Sequence, residues 1–202
     1  MKRFAKIIST ILHPCFVPIY AIALLMVTGT VYHYYPLRFQ LYLIWVVTLY
    51  AAILPMLTMA LLKRLHRLRG RELPRRYHPA IMMVVGIVCY ALYAFTMMKA
   101  PSLIMFRKIA VAGIMCNVYC LVMMLFTRRI STHLTAMGAV TALFAMLNIV
   151  GEQALFWVLL GTLLISGALA SVRLYLGRHR SLQLLAAYVG GFIVSAIAML
   201  YL

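Results

Sequence analysis

The chain has 202 residues, of which 66% are hydrophobic and only 10% are charged. A soluble domain covers its surface with roughly a quarter of its residues charged. The composition therefore excludes a soluble globular protein. It predicts an all-α, polytopic transmembrane bundle, because helices satisfy their own backbone hydrogen bonds in hydrocarbon.

Acidic residues are almost absent from the chain. Glu72 and Glu152 are the only two, against nineteen Lys and Arg. Metal-dependent phosphatases and transferases and carboxylate glycosidases need several converging carboxylates, so the sequence predicts chemistry without a metal or another cofactor. The positive charge favours anionic partners, either membrane lipid headgroups or a phosphorylated substrate. Nucleic acid is a poor candidate, because the positive residues lie in short segments between apolar runs.

Seven apolar runs long enough to cross a membrane follow one another along the chain. They cover residues 10–32, 39–62, 79–98, 106–127, 134–150, 154–172 and 182–202. The third and fourth runs have an alternative interpretation as a shorter hairpin against the membrane face. No repeat or linker interrupts the series, so residues 1–202 are predicted to form a single integral-membrane domain with about six to seven spans.

Three polar segments separate these runs at the second, fourth and sixth connections. They read LKRLHRLRGRELPRRYHP, TRRISTH and RLYLGRHRSLQ. Even-numbered connections emerge on the same side as the N-terminus, so the three segments are predicted to meet at one face. Fifteen of the nineteen Lys and Arg residues lie on that side, and the positive-inside rule makes it cytoplasmic. These arginines can serve only to orient the chain, but that interpretation leaves the histidines unexplained.

Two histidines, His133 and His179, stand where a span begins. Gln183 follows His179 by one helical turn, so its side chain can accept a hydrogen bond from the imidazole. The other ring nitrogen is then presented as a nucleophile near neutral pH. His13, at the start of the first span, is assigned a structural role.

The segment from Arg173 to Gln183 resembles a motif of the type 2 phosphatidic acid phosphatase superfamily, which includes the vanadium haloperoxidases. That third motif of the family reads S-R-x5-H-x3-D, and this chain has Arg173, His179 and Gln183 at its last three marked positions. Glutamine thus replaces the acid. Branches of the family similar to dolichyl diphosphatases also carry Gln there, in a context close to RLYLGRH, so the resemblance is compatible with activity.

The segment I-S-T-H, which contains Ser131 and His133, is similar to the second motif of the family, P-S-G-H. The proline and glycine of that motif are absent here. Val172 stands where the third motif has serine, with Ser171 one place earlier. The resemblance therefore rests mainly on the charged and imidazole-bearing positions.

The first family motif, K-x6-R-P, is similar to Arg69-x6-Arg76, with Arg in place of Lys and Tyr in place of Pro. Arg71 and Arg75 are alternatives for the same two positions, and the sequence leaves this register open. The resemblance as a whole spans residues 69 to about 191.

The resemblance implies a phosphatase reaction through a covalent intermediate. His179 would attack phosphorus to form a phosphohistidine, and His133 would protonate the leaving oxygen and then activate water. Gln183 would orient the His179 ring. The groups that would bind the phosphate oxygens are Arg173, Arg69, Arg76 and Ser131.

The expected substrate is a phosphorylated lipid in the membrane. Polyprenyl diphosphate, phosphatidate-like lipids, phosphatidylglycerophosphate and lipid A all fit, and Gln183 favours a polyprenyl diphosphate. Two alternatives are an inactive member of the same fold that binds anionic lipid or a partner protein, and a small lipid transporter. The expected location is a bacterial inner membrane. Charge favours a cytoplasmic site, whereas the resemblance favours a periplasmic one.

Overall fold

The computed structural model describes residues 12–28, 30–68, 78–98, 103–126, 130–150, 155–177 and 180–201. These residues form helices, and no strand occurs among them. The α-helices are α1 (Val17–Val27), α2 (Leu37–Thr48), α3 (Leu54–Leu68), α4 (His78–Met97), α5 (Ile104–Phe126), α6 (Thr132–Ile149), α7 (Phe156–Tyr175) and α8 (Ser181–Tyr201). The prediction of an all-α transmembrane bundle is confirmed.

Six of these helical segments are long and apolar enough to cross a membrane. α2 and α3 form one of them, because a π-helical turn at Leu49–Ile53 joins them without a break. Pro55 explains that wide turn, since a proline ring clashes with the carbonyl group four residues earlier in a regular α-helix. α4 and α5 have 20 and 23 residues, so the alternative interpretation of this pair as a shorter hairpin does not describe them.

The first predicted span differs from its expected form. α1 has only 11 residues, about 16 Å of helix, and a short 3-10 helix at Val31–Tyr34 follows it. This segment nevertheless joins the two ends of the bundle. The ring of His13 lies 5.4 Å from that of His133 at the start of α6, and the ring of Tyr32 lies 5.6 Å from that of Phe106 at the start of α5.

Helix α6 is the centre of the bundle and packs most closely against α8. Gly138 and Gly191 make this approach necessary: a Cβ atom at Gly138 would overlap the carbonyl oxygen of Tyr188, and one at Gly191 would overlap that of Thr135. Small residues permit such backbone contact between helices in membranes. The Tyr188 hydroxyl also donates a hydrogen bond to Thr141 at 3.1 Å. α6 and α8 are therefore held together along most of their length.

We expect Gly138→Ala to destabilise the protein by roughly 2–3 kcal/mol, because the two helix backbones must separate to admit a methyl group. Thermal unfolding of the purified protein in detergent measures the effect. Gly161→Ala is the matched control, since nothing lies within 4 Å of a Cβ atom built there, and an alanine in a helix interior is neutral or slightly stabilising. Equal melting temperatures for the two variants would contradict the packing described here.

Candidate functional site

Four helix ends meet at the face of the bundle that carries the predicted site. They are the start of α1, the start of α6, the end of α7 and the start of α8. A small buried apolar cluster joins them, made of Val17, Leu134, Met137, Leu169, Leu184 and Ala187. Each helix end therefore has a fixed position relative to the others.

The predicted site residues lie next to members of this cluster. Leu134 directly follows His133, and Leu184 directly follows Gln183. Leu169 lies one helical turn before Arg173, and Val17 lies four residues after His13. Burial of the cluster therefore fixes the backbone positions of these four polar residues. The polar site thus lies directly on a buried apolar cluster.

His13 and His133 face each other at the centre of this region. Their rings meet edge to face, with 5.4 Å between centroids and 78° between planes. The backbone N–H of Cys15 donates a hydrogen bond to Nδ1 of His13 at 3.4 Å. Nδ1 is then an acceptor, which puts the proton of the neutral ring on Nε2. His13, for which the sequence predicts a structural role, thus contacts a predicted catalytic residue.

Arg173 lies in the last turn of α7 with only 5% of its surface exposed. The helix ends just beyond it, where Gly177 adopts a left-handed conformation at φ 64° that glycine accepts without strain. Burial lowers the pKa of His13, and the nearby positive charge of Arg173 lowers it further. The charge of Arg173 acts on the His13 ring, so Arg173 belongs to the same site as the two histidines.

Acidification is expected to destabilise the folded protein through His13. Because the folded pKa of His13 lies below its ordinary value of about 6.5, the unfolded chain binds more protons between those two values. Stability from this group is therefore complete above pH of about 6.5 and is lost as the pH falls through the folded pKa. Thermal unfolding of wild type and His13→Gln across this pH range tests the effect. A stability difference independent of pH would contradict it.

Ser131 occupies the N-cap position of α6 with an extended backbone. Its carbonyl oxygen accepts hydrogen bonds from the backbone N–H and the hydroxyl of Thr135 at 3.1 and 3.2 Å. Its own hydroxyl is buried, makes no capping bond, and has no hydrogen-bond partner among the described residues. The Ser131 side chain is thus not used to cap the helix, which agrees with a role in binding a ligand.

Gln183 makes a hydrogen bond other than the one predicted with His179. Its Oε1 atom accepts a hydrogen bond from the backbone N–H of Arg180 at 3.2 Å. A Gln at the third helical position commonly reaches back to the N-cap amide in this way. The bond fixes the side chain at the start of α8 and leaves Oε1 with a second lone pair. The predicted orientation of His179 by Gln183 stays a prediction.

Several predicted site residues lie outside the described residues. They are the predicted nucleophile His179 and the arginines proposed for the first motif, which are Arg69 and Arg76 or alternatively Arg71 and Arg75. Their roles stay predictions. Among the predicted residues, the structure brings His133 and Arg173 together around His13. Ser131 and Gln183 lie at the same end of the bundle.

A sequence signal could have identified His13. A His-Pro dipeptide occurs where a helix begins on this face, at His13-Pro14 and again at His78-Pro79. Proline is favoured at a helix start because it lacks the N–H group that would be unpaired there. The histidine that precedes it therefore lies at the start of the helix. Nδ1 of His78 is buried without a hydrogen-bond partner among the described residues. Pro79 lines the same cavity as His13.

The site combines imidazole groups with a buried guanidinium, a set of groups able to bind an anion and transfer protons. Within the described part of the chain, no group of three or more His, Cys, Asp or Glu side chains is placed to hold a metal ion. Comparison of the chain with protein-family models, curated proteins and solved structures found no match. Its function is therefore inferred from its own residues.

Proposed function

We propose that this integral membrane protein is a metal-independent phosphatase that removes phosphate from a lipid headgroup. The observation that carries the proposal is the meeting of His13, His133 and Arg173 at one end of an apolar helical bundle. A phosphate monoester or diphosphate fits this set, because guanidinium binds its oxygens and imidazole transfers protons near neutral pH. The apolar bundle keeps a lipid substrate close to the site.

The first step of the proposed reaction forms a covalent intermediate. A ring nitrogen of His179 attacks phosphorus, and the bond between phosphorus and the leaving oxygen breaks. The leaving oxygen belongs to the lipid alcohol, or to the lipid phosphate when the substrate is a diphosphate. His133 gives its proton to that oxygen, so the leaving oxygen does not carry a full negative charge as the bond breaks.

The second step releases the phosphate. His133, now neutral, takes a proton from a water molecule as that water attacks the phosphohistidine. The bond between nitrogen and phosphorus breaks, and His179 is restored. Arg173 supports both steps, since its positive charge is already in place where negative charge increases on the phosphoryl oxygens. Arg69, Arg76 and the Ser131 hydroxyl bind the remaining oxygens in this proposal.

Gln183 bears on the substrate and on the main alternative. It can orient the His179 ring, but a neutral amide does not stabilise an imidazolium as a carboxylate would. The resemblance of Gln183 to the glutamine of dolichyl diphosphatase-like sequences favours a polyprenyl diphosphate. The leaving group of this substrate is a stable lipid phosphate. The capping bond of Gln183 to Arg180 favours the alternative, an inactive member of the same fold that binds anionic lipid.

The location proposed for the protein is a bacterial inner membrane. The excess of positive residues on the site-bearing side favours a cytoplasmic site, whereas the family resemblance favours a periplasmic one. A reporter enzyme fused to the C-terminus distinguishes them, because that terminus follows α8 to the face opposite the site. Reporter activity in the periplasm supports a cytoplasmic site.

The test of the function is release of phosphate by the purified protein in the presence of EDTA. The substrate panel contains a polyprenyl diphosphate, phosphatidate, phosphatidylglycerophosphate and lipid A. Wild type is compared with His133→Ala and with His33→Ala, which removes a histidine near Met26 at the other end of α1. Activity on one substrate that His133→Ala loses and His33→Ala keeps supports the proposal. A protein that binds these lipids without releasing phosphate would support the inactive alternative.

A further inference from the structure

One cavity leads from the candidate site into the interior of the bundle. Its volume is about 230 Å³. His13, Pro79 and Thr132 line its outer end, and the ring contact between His13 and His133 places this end beside the predicted acid–base residue. The cavity is therefore continuous with the position that the proposed function gives to the phosphate group.

The depth of the cavity follows from the positions of its lining residues along α6. Thr132 and Leu143 both line it, and the helix between them rises about 16 Å at 1.5 Å per residue. The hydrocarbon core of a bilayer is about 30 Å thick. Met199, near the end of α8, also lines its wall, and along α6 the cavity spans about half of this thickness. A lipid tail in one leaflet covers the same depth.

Small side chains keep this space open. Ala112 on α5, Ala136 and Ala139 on α6, and Ala51 in the π-helical turn all line it. Larger residues at these positions would fill the space between the helices. Divided by the depth of about 16 Å along α6, the cavity volume of about 230 Å³ gives a narrow cross-section. That cross-section suits one hydrocarbon chain rather than two.

The wall of the cavity is mainly apolar beyond its outer end, although the hydroxyl-bearing residues Tyr90, Thr135 and Ser195 also line it. None of the residues that line it is Lys, Arg, Asp or Glu. The amide of Asn117 lies in the wall, and its Nδ2 atom donates a hydrogen bond to the Gly113 carbonyl at 2.8 Å. Apolar cavities hold water poorly and bind apolar ligands. The lining therefore favours hydrocarbon, whereas the adjoining site, with His13, His133 and Arg173, favours an anion.

We infer that this cavity binds the hydrocarbon tail of the phosphorylated lipid whose phosphate lies between His13, His133 and Arg173. The position of the phosphate rests on the proposed function. The tail enters the interior of the protein instead of lying on its lipid-facing surface. A lipid with two tails would leave the second one in the bilayer. The length of the bound chain then contributes to the choice of substrate.

The first experiment detects the tail directly and needs no catalysis. A hexadecyl phosphonate, whose P–C bond resists hydrolysis, carries a photoreactive diazirine at the end of its chain. The wild-type protein in lipid nanodiscs is illuminated with this probe, and the labelled residues are identified by mass spectrometry. Labels on the cavity wall near Ala139 and Leu143 are expected. Labels confined to lipid-facing residues such as Leu163 and Leu164 of α7, both exposed, would overturn the inference.

The second experiment shortens the cavity. Ala139→Leu fills part of it, and Ala168→Leu, at an exposed position of α7, is the matched control. We expect kcat/KM for alkyl phosphates in water to rise with chain length in wild type, by about fourfold per methylene group buried. Ala139→Leu should lower the ratio of long-chain to short-chain kcat/KM by about tenfold or more. The control should keep the wild-type ratio.

The two experiments separate this inference from the function on which it rests. Labels in the cavity without hydrolysis of any substrate would support the tail site and overturn the phosphatase proposal. Hydrolysis with the same chain-length dependence in both leucine variants, together with labels only on the lipid face, would overturn the tail site and leave the phosphatase proposal intact.

Discussion

Replacement of His179 by alanine is expected to lower kcat by about four orders of magnitude or more. Without the imidazole, no covalent intermediate forms, and water must attack phosphorus directly in a site built for another nucleophile. Binding of the substrate phosphate depends on other groups, so KM should change much less. Initial rates of phosphate release over a range of substrate concentrations measure both constants.

Trapping of the intermediate distinguishes the nucleophile from the acid–base residue. Brief reaction with substrate labelled with ³²P, followed by an alkaline quench that preserves phosphohistidine, should label wild type. His133→Ala should still be labelled, because the attacking nitrogen remains, although loss of the acid–base group lowers turnover by about 10²- to 10⁴-fold. His179→Ala should carry no label. Labelled His179→Ala protein, or turnover near that of wild type, would assign the nucleophile to another residue.

Replacement of Arg173 by glutamine is expected to lower kcat/KM by about 10³-fold. Preorganised arginines at transferring phosphoryl groups have effects of this order, because their charge stabilises the transition state without solvent reorganisation. Arg173→Lys should recover part of the loss, since lysine restores the charge but not the planar fork that binds two oxygens. Arg180→Gln is the matched control at the exposed position just before α8, and its activity should stay within about threefold of wild type.

Melting temperatures show whether Arg173 acts on the substrate or on the fold. Glutamine keeps hydrogen-bonding groups at this position without the cost of burying a charge, so a folded but inactive Arg173→Gln protein is expected. Loss of activity together with a large fall in melting temperature would assign the arginine a structural role. Full activity in the glutamine variant would remove Arg173 from the phosphate site.

The transmembrane helices could be predicted because the signal is direct: a span must be about 20 residues of apolar sequence. α4 to α8 each lie close to a predicted run. The helix ending at Leu68 continues past its predicted end at residue 62. Lys63 and Arg64 are exposed, and long charged side chains can extend to the membrane surface while their backbone stays helical.

The form of the first span could not be predicted from hydropathy alone. Residues 10–32 are apolar enough for one long helix, but α1 occupies only Val17–Val27. Pro14 and Pro18 lie at its start, where proline permits a helix to begin but not to extend backwards. Thr30, whose hydroxyl donates to the Leu25 carbonyl at 2.6 Å, lies just beyond its end. The mean hydropathy of a run of residues does not reflect a single proline or a single hydrogen bond.

In the site, too, the features that depend on the order of the spans could be predicted, and the features that depend on packing between distant segments could not. Counting of connections predicted that the starts of α6 and α8 and the end of α7 lie on one face, since parity needs only the number of spans. The contact between His13 and His133 depends on how α1 packs against α6, and no spacing within the sequence contains that information. The hydrogen bond between Gln183 and Arg180 could not be predicted either, because it depends on the residue at which α8 begins. A shift of that start by one position would remove the bond.

The unequal burial of α6 and α7 has a consequence for how the membrane acts on the proposed chemistry. Among the spans of the described residues, α6, which carries His133, is the most enclosed, with 56% of its residues buried, whereas α7, which carries Arg173, has only about 22% buried. The backbone contacts at Gly138 and Gly191 make α6 and α8 one rigid unit, but α7 borders mainly on lipid. A helix in contact with lipid tilts when the bilayer becomes thinner or thicker. Under the proposed roles, a change in membrane thickness acts more on Arg173 of α7, which binds the phosphate, than on His133 of α6, which transfers the proton.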